Sequence, residues 1–110
     1  DPITLNTLSV LLEQAGYRCY LAEDGTTAKQ LLAHHNVDVI LSDIQLPDVE
    51  GVELIRYFRE VNQNMPIIAH SAFAFDEDVA AAIAAGASDY LRKPATFSEL
   101  QARLNACLDV

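Results

Sequence analysis

"VDVILSDIQLPDVEG", residues 37–51, is an almost unbroken apolar run that ends on a carboxylate and then breaks at a proline and a glycine. A run such as Val37 to Leu41 is the signature of a strand covered on both faces, as in a parallel sheet. Asp43 stands where the run ends, and Leu46-Pro47 and Gly51 turn the chain away from it. Beyond Gly51 the period changes: Val52, Leu54, Ile55, Phe58 and Val61 follow helical spacing. Pro66-Ile67-Ile68-Ala69 reads as a second short buried strand, its proline at the start, where a missing N–H is tolerated. Asp76 caps an alanine-rich helix that Gly86 closes, and Asp89-Tyr90-Leu91-Arg92 reads as another strand. Thr96-Phe97-Ser98-Glu99 is a capping box opening a last helix with Leu100, Leu104, Cys107 and Leu108 inward.

Upstream the same alternation holds. Leu5, Leu8, Leu11, Leu12 and Ala15 are helically spaced, with Gly16 as the stop. Tyr17, Cys19 and Leu21 alternate with Arg18 and Tyr20, as in a strand near a sheet edge. Asp24-Gly25-Thr26 offers turn and cap residues to a helix carrying Ala28, Leu31 and Leu32. The order αβαβαβαβα, with short connections, predicts an α/β domain: a doubly wound parallel sheet with right-handed crossovers.

A chain of 110 residues, 51% of them hydrophobic and 21% charged, is long enough for one core. Seven basic and sixteen acidic residues leave a formal net charge of −9, which repels phosphate backbones and anionic lipid. Direct nucleic-acid binding and membrane contact are therefore not expected. The longest uncharged apolar stretch is too short to span a bilayer, and no secretory signal pattern opens the chain. Cys19 and Cys107 lack metal-ligand or redox spacing, which fits reduced thiols in a cytoplasmic domain.

In an open parallel sheet, ligands bind outside the carboxyl ends of the strands. Three predicted strands end on polar groups: Asp43, His70-Ser71 and Lys93-Pro94. Singly, each has an ordinary reading: a cap or turn Asp, a turn Ser, a solvated Lys. Together they place a carboxylate, a hydroxyl and an ammonium on one rim. A carboxylate so placed can attack phosphorus, with the lysine and hydroxyl pairing phosphoryl oxygens.

D-x-x-L-P-x-x-x-G at 43–51, I-I-A-H-S-A at 67–72 and G-A-S-D-Y-L-R-K-P at 86–94 resemble, in order and spacing, the receiver domain of two-component response regulators. "LLEQAGY" at 11–17 and "AEDG" at 22–25 are similar to the same family. The resemblance implies a flavodoxin-like receiver fold of strand order 2-1-3-4-5. It implies that Asp43 is the phospho-acceptor, Ser71 and Tyr90 the switch residues, and Lys93 the phosphate-pairing lysine. Mg²⁺ would be held by Asp43 and the backbone carbonyl of Gln45. The side chains of Gln45 and Phe73 would flank the path of attacking water, so bulky Phe73 is expected to lengthen the life of the phosphate. Implied partners are a histidine kinase or histidine phosphotransfer domain and a downstream partner on the switch face. A domain of this kind modifies itself and is not expected to be an enzyme in the usual sense.

Receivers begin with a strand ending in an acidic pair that helps hold Mg²⁺, and Asp1-Pro2 matches the two residues after that pair. Residues 1–110 are thus expected to be a receiver domain lacking its first strand and both acids, with two flanking strands deprived of their ladder. Two other functions compete. One is a receiver-like interaction module that is never phosphorylated. The other is a haloacid-dehalogenase-type hydrolase or flavodoxin-like cofactor binder. The hydrolases use a second Asp where Gln45 stands, and the phosphate loop of the flavodoxin-like class would follow the first strand.

Elsewhere the plain readings prevail. His34-His35 closes a helix, Glu50, Glu53, Arg56 and Arg59 form a solvated face with i,i+3 pairing, and His70 is a satisfied rim histidine.

Overall fold

Three parallel strands, β1 (Ile40–Asp43), β2 (Ile67–Ser71) and β3 (Asp89–Arg92), form one sheet in the order β1-β2-β3 in the computed structural model of the chain. The structure describes residues 5–22, 24–43, 50–71, 76–92 and 95–108. Helices α1 (Leu5–Gln14) and α2 (Gly25–His34) come in succession before β1, and α3 (Gly51–Val61), α4 (Asp76–Ala85) and α5 (Phe97–Leu108) follow β1, β2 and β3 in turn.

Alternation along β2 divides the interior in two. Ile67 and Ala69 face α3 and α4, packing with Leu54, Ile55, Phe58, Ala82 and Tyr90. Ile68 faces the other way, against Leu91, Leu100, Leu104 and the α1 residues Leu8 and Leu12. The period-2 side-chain rule thus gives β2 two apolar faces, as a sheet wound on both sides requires. The ladder starts where the proline predicts: Ile40 N–H donates to the Pro66 carbonyl at 3.0 Å, and Ser88 closes the edge by donating to Ile67 C=O at 2.7 Å.

Local signals place the helix ends. The Asp24 carboxylate accepts from Thr27 N–H at 2.8 Å. Thr96 and Glu99 form the reciprocal capping box, each side chain accepting the other's backbone N–H at 3.1 Å. Helices α1 and α4 end in the same Schellman motif, on Gly16 at φ 103° and Gly86 at φ 124°. Asp76, expected as the cap of α4, is instead a residue of the helix itself.

Two strand expectations are corrected. Residues 17–22 have no ladder. The apolar run at 37–41 becomes a strand only from Ile40, where β2 begins to supply partners. Among the described residues, 17–22 lack a backbone neighbour on the side of the sheet. Between 17–22 and β1 lies a cavity of about 360 Å³, lined by residues of α1, α2, β1, α3 and α5. A strand exists only when a neighbouring backbone takes its N–H and C=O groups. Alternating side chains cannot supply that neighbour.

Arg59 is also corrected. It is only half-exposed and reaches across to α4, donating to the Gly86 carbonyl from Nε at 3.0 Å and from Nη2 at 2.6 Å. Arg56 does pair with Glu53, at 2.8 Å on an exposed face.

Candidate functional site

The site grows from the parallel register. Asp43 is opposite His70, and Ser71 is opposite Arg92. All three strands therefore present their carboxyl ends to one rim. Adjacent strands lie about 4.8 Å apart and rise about 3.3 Å per residue, which sets the Asp43 and Ser71 backbones roughly 6 Å apart. Asp43 is the last residue of β1 and half-buried, and it lines the cavity between 17–22 and the sheet. Ser71 is fully buried at 0% exposure, so its hydroxyl is held by the interior.

The pleat separates these groups by face. Asp43 and His70 share the face that looks toward α1 and α5, and both line the cavity; the His70 Nε2 is closed off from solvent. Ser71 and Tyr90 lie on the opposite face, where Tyr90 is buried among α3 and α4 side chains. His70 is thus the sheet neighbour of Asp43. Period-2 counting from Asp43 and the strand register would have revealed this, but the register is not written in the sequence.

Tyr90 is anchored from outside the sheet. Arg103 of α5 pairs with Asp89 at 2.7 Å and donates to the Tyr90 carbonyl at 3.3 Å, while Tyr90 N–H donates to the Asp89 carboxylate at 2.8 Å. Spacing alone missed this clamp, because its partners are distant in sequence and meet only when α5 docks. Of the other residues singled out from the sequence, Gln45, Phe73, Lys93 and Asp1-Pro2 lie outside the described residues.

Among the described residues no three His, Cys, Asp or Glu side chains come together to enclose a metal. The donor set at the rim still suits one kind of ion. A half-buried carboxylate beside open space fits a hard cation such as Mg²⁺, which is commonly held by one or two carboxylates and keeps several waters. It does not fit a soft metal, which would want thiolate or imidazole. The described helices include none long and apolar enough to cross a membrane.

The family pattern "Response regulator receiver domain" matches residues 1–105. This chain belongs to the response regulator receiver family. The receiver is the signal-receiving module of two-component regulators, and phosphorelay signalling is its setting. The chain is 38% identical over 97 residues to the transcriptional regulatory protein CusR of Escherichia coli K12, a match covering 88% of this chain and 43% of CusR. It spans less than half the length of the curated relatives it matches. Its fold is similar to that of a CheY-like receiver domain protein from Methanospirillum hungatei JF-1, at a TM-score of 0.91 and 28% identity, covering 96% of this chain and 84% of the other. A response regulator from Burkholderia pseudomallei, solved with a phosphorylated aspartic acid, calcium ion and citrate, aligns at a TM-score of 0.84 and 28% identity, covering 92% of this receiver and 61% of that protein. The α/β, flavodoxin-like reading of the sequence is borne out by the parallel three-stranded sheet and these relatives.

Proposed function

We propose that this receiver accepts a phosphoryl group on Asp43 from the phosphohistidine of a histidine kinase or phosphotransfer domain. The observation that carries the reading is the end of β1: Asp43 closes the strand half-buried at a rim where Ser71 closes the next. In the transfer, a carboxylate oxygen of Asp43 forms a P–O bond as the P–N bond breaks. The imidazole leaves with the bonding pair and takes a proton from solvent. Lys93, next in sequence after β3, pairs a phosphoryl oxygen, and Ser71 donates to another. Asp43 and the Gln45 carbonyl would hold Mg²⁺, whose chemistry here is neutralising phosphoryl charge.

Charge gained at Asp43 draws on Ser71, and Tyr90 on the same sheet face carries the change to a partner. The net charge of −9 favours a protein partner over nucleic acid or an anionic membrane, in the cytoplasm. Phe73 and Gln45 set the lifetime of the acyl phosphate by controlling water. The chain modifies itself and turns over no separate substrate.

The test is beryllofluoride with Mg²⁺, a mimic of aspartyl phosphate, followed by amide NMR shifts of Ser71 and Tyr90. Shifts in the parent chain that vanish in Asp43→Asn support the reading. Equal shifts in the variant, or none in a chain extended upstream to include the acidic pair, would count against Asp43 as acceptor.

A further inference from the structure

The strand register builds a row across the sheet: Asp43 on β1, His70 on β2 and Leu91 on β3. By the same alternation all three side chains look toward α1 and α5, where Ile68 and Leu91 pack on Leu100 and Leu104. Leu91 offers the His70 ring no polar atom. Asp89, diagonal to His70 on that face, is held by Arg103 at 2.7 Å. Within its row the polar neighbour of the imidazole is the Asp43 carboxylate.

At the spacing of adjacent strands, about 4.8 Å, a ring N–H and a carboxylate on one face are within hydrogen-bonding reach. The His70 Nε2 is closed off from solvent and the floor is apolar, so water competes little there and a bond to a charged acceptor is strong. A carboxylate offers two oxygens with roughly four lone-pair sites, so a bond from the ring to one oxygen leaves the other for phosphorus and a site for a cation. The bonded oxygen becomes the carbonyl of the acyl phosphate. In hydrolysis a water oxygen bonds to phosphorus, the bond from phosphorus to Asp43 breaks, and its electron pair returns to the carboxylate. Inorganic phosphate leaves with the hydroxyl of that water, and the other proton goes to solvent. The carbonyl regains negative charge as this happens, and a donor already aimed at it favours the step.

We propose that His70 is a positioning residue of the acceptor site. Its neutral imidazole donates to one oxygen of Asp43, leaves the other to take the phosphoryl group, and shortens the life of the acyl phosphate. The lifetime role rests on Asp43 being the acceptor, whereas the hydrogen bond itself does not.

Two measurements test it, and the first needs no phosphate. At about pH 8.5, where an ordinary imidazole is neutral, NMR of the ring nitrogens should find His70 in one tautomer with a hydrogen-bonded N–H. Asp43→Ala removes the acceptor and should shift that signal, while His34 and His35 at the end of α2 stay in place as internal references. The second follows loss of phosphate after loading with acetyl phosphate, in a chain extended upstream to include the acidic pair. His70→Leu keeps an apolar side chain of similar size without a donor, and should slow hydrolysis about 10-fold, the worth of one bond to a charged group. His70→Asn and His70→Gln keep an N–H at the reach of one or the other ring nitrogen, and one of them should restore most of the rate. An unmoved ring signal in Asp43→Ala, unchanged or faster hydrolysis in His70→Leu, or equal slowing in both amide variants would overturn the proposal. A parent chain that takes up no phosphate would overturn the acceptor reading and the lifetime role with it, and the ring signal would still decide the hydrogen bond.

Discussion

Gly16 and Gly86 close helices α1 and α4 in the same Schellman geometry, and replacing each with alanine separates backbone strain from packing. Gly16 has φ 103° and nothing within 4 Å of where a Cβ would stand. Gly16→Ala therefore carries only the cost of a side chain in an unfavourable backbone region, about 1–2 kcal/mol. Gly86, at φ 124°, carries the same cost and more. Its Cβ would lie 2.8 Å from Arg59 Cγ and 2.9 Å from Arg59 Cβ. The near end of the arginine is involved, so the side chain has to leave, and its two hydrogen bonds to the Gly86 carbonyl go with it. Bonds from a charged donor are worth roughly 1.5–3 kcal/mol each when buried, and partial exposure reduces the pair here to about 1–2 kcal/mol in total. Gly86→Ala should then cost about 2–4 kcal/mol. Urea denaturation monitored by circular dichroism reads both variants, with the slope checked for constancy. The decisive arm is the double variant. In Gly86→Ala with Arg59→Ala, the hydrogen bonds can be lost only once, so the pair should be less destabilising than the sum by about 1–2 kcal/mol. If Gly86→Ala costs no more than Gly16→Ala, or if the two changes add within about 0.5 kcal/mol, the account of the clamp is refuted.

Further outcomes follow from single features. Thr96→Ala removes one arm of the capping box and should cost about 1 kcal/mol, with Thr96→Ser recovering most of it in the same melts. Burial raises the thiol pKa of Cys19 and of Cys107, helped by the nearby carboxylates of Glu13 and Asp89 respectively. Since the thiolate is the reactive form, both should be alkylated by iodoacetamide more slowly than a free cysteine at neutral pH, and catch up as the pH rises. Asp89→Asn removes a negative neighbour and should lower the Cys107 pKa, shifting its alkylation profile to lower pH while leaving that of Cys19 in place.

Much of the architecture was legible because its causes are local. Asp24 and the Thr96–Glu99 box cap helices with atoms three residues away, so they can be read from spacing. Pro66 marks the start of β2 because it lacks an N–H, and Gly16 and Gly86 mark helix ends because their backbone conformation disfavours a side chain. The Ile67-Ile68-Ala69 run announced a strand covered on both faces, and the structure buries all three at 0% exposure. Of the site, the sequence supplied Asp43 and Ser71 at neighbouring strand ends.

What tertiary structure alone decided depends on partners distant along the chain. Arg59 reads as one more charge on a solvated helix face until α4 brings Gly86 beneath it. His70 becomes the neighbour of Asp43 only through the β1–β2 register, and Arg103 meets Asp89 only when α5 docks. Residues 17–22 have the alternation of a strand and no ladder, since alternation chooses which side chains point inward but a strand needs a second backbone beside it. The stretch from 37 to 51 carries both lessons. Its apolar run and terminal carboxylate were enough to announce a buried strand with a site at its tip. Where that strand begins, and the cavity left along its outer edge, followed from the backbone neighbour it has in β2 and, among the described residues, lacks on its other side.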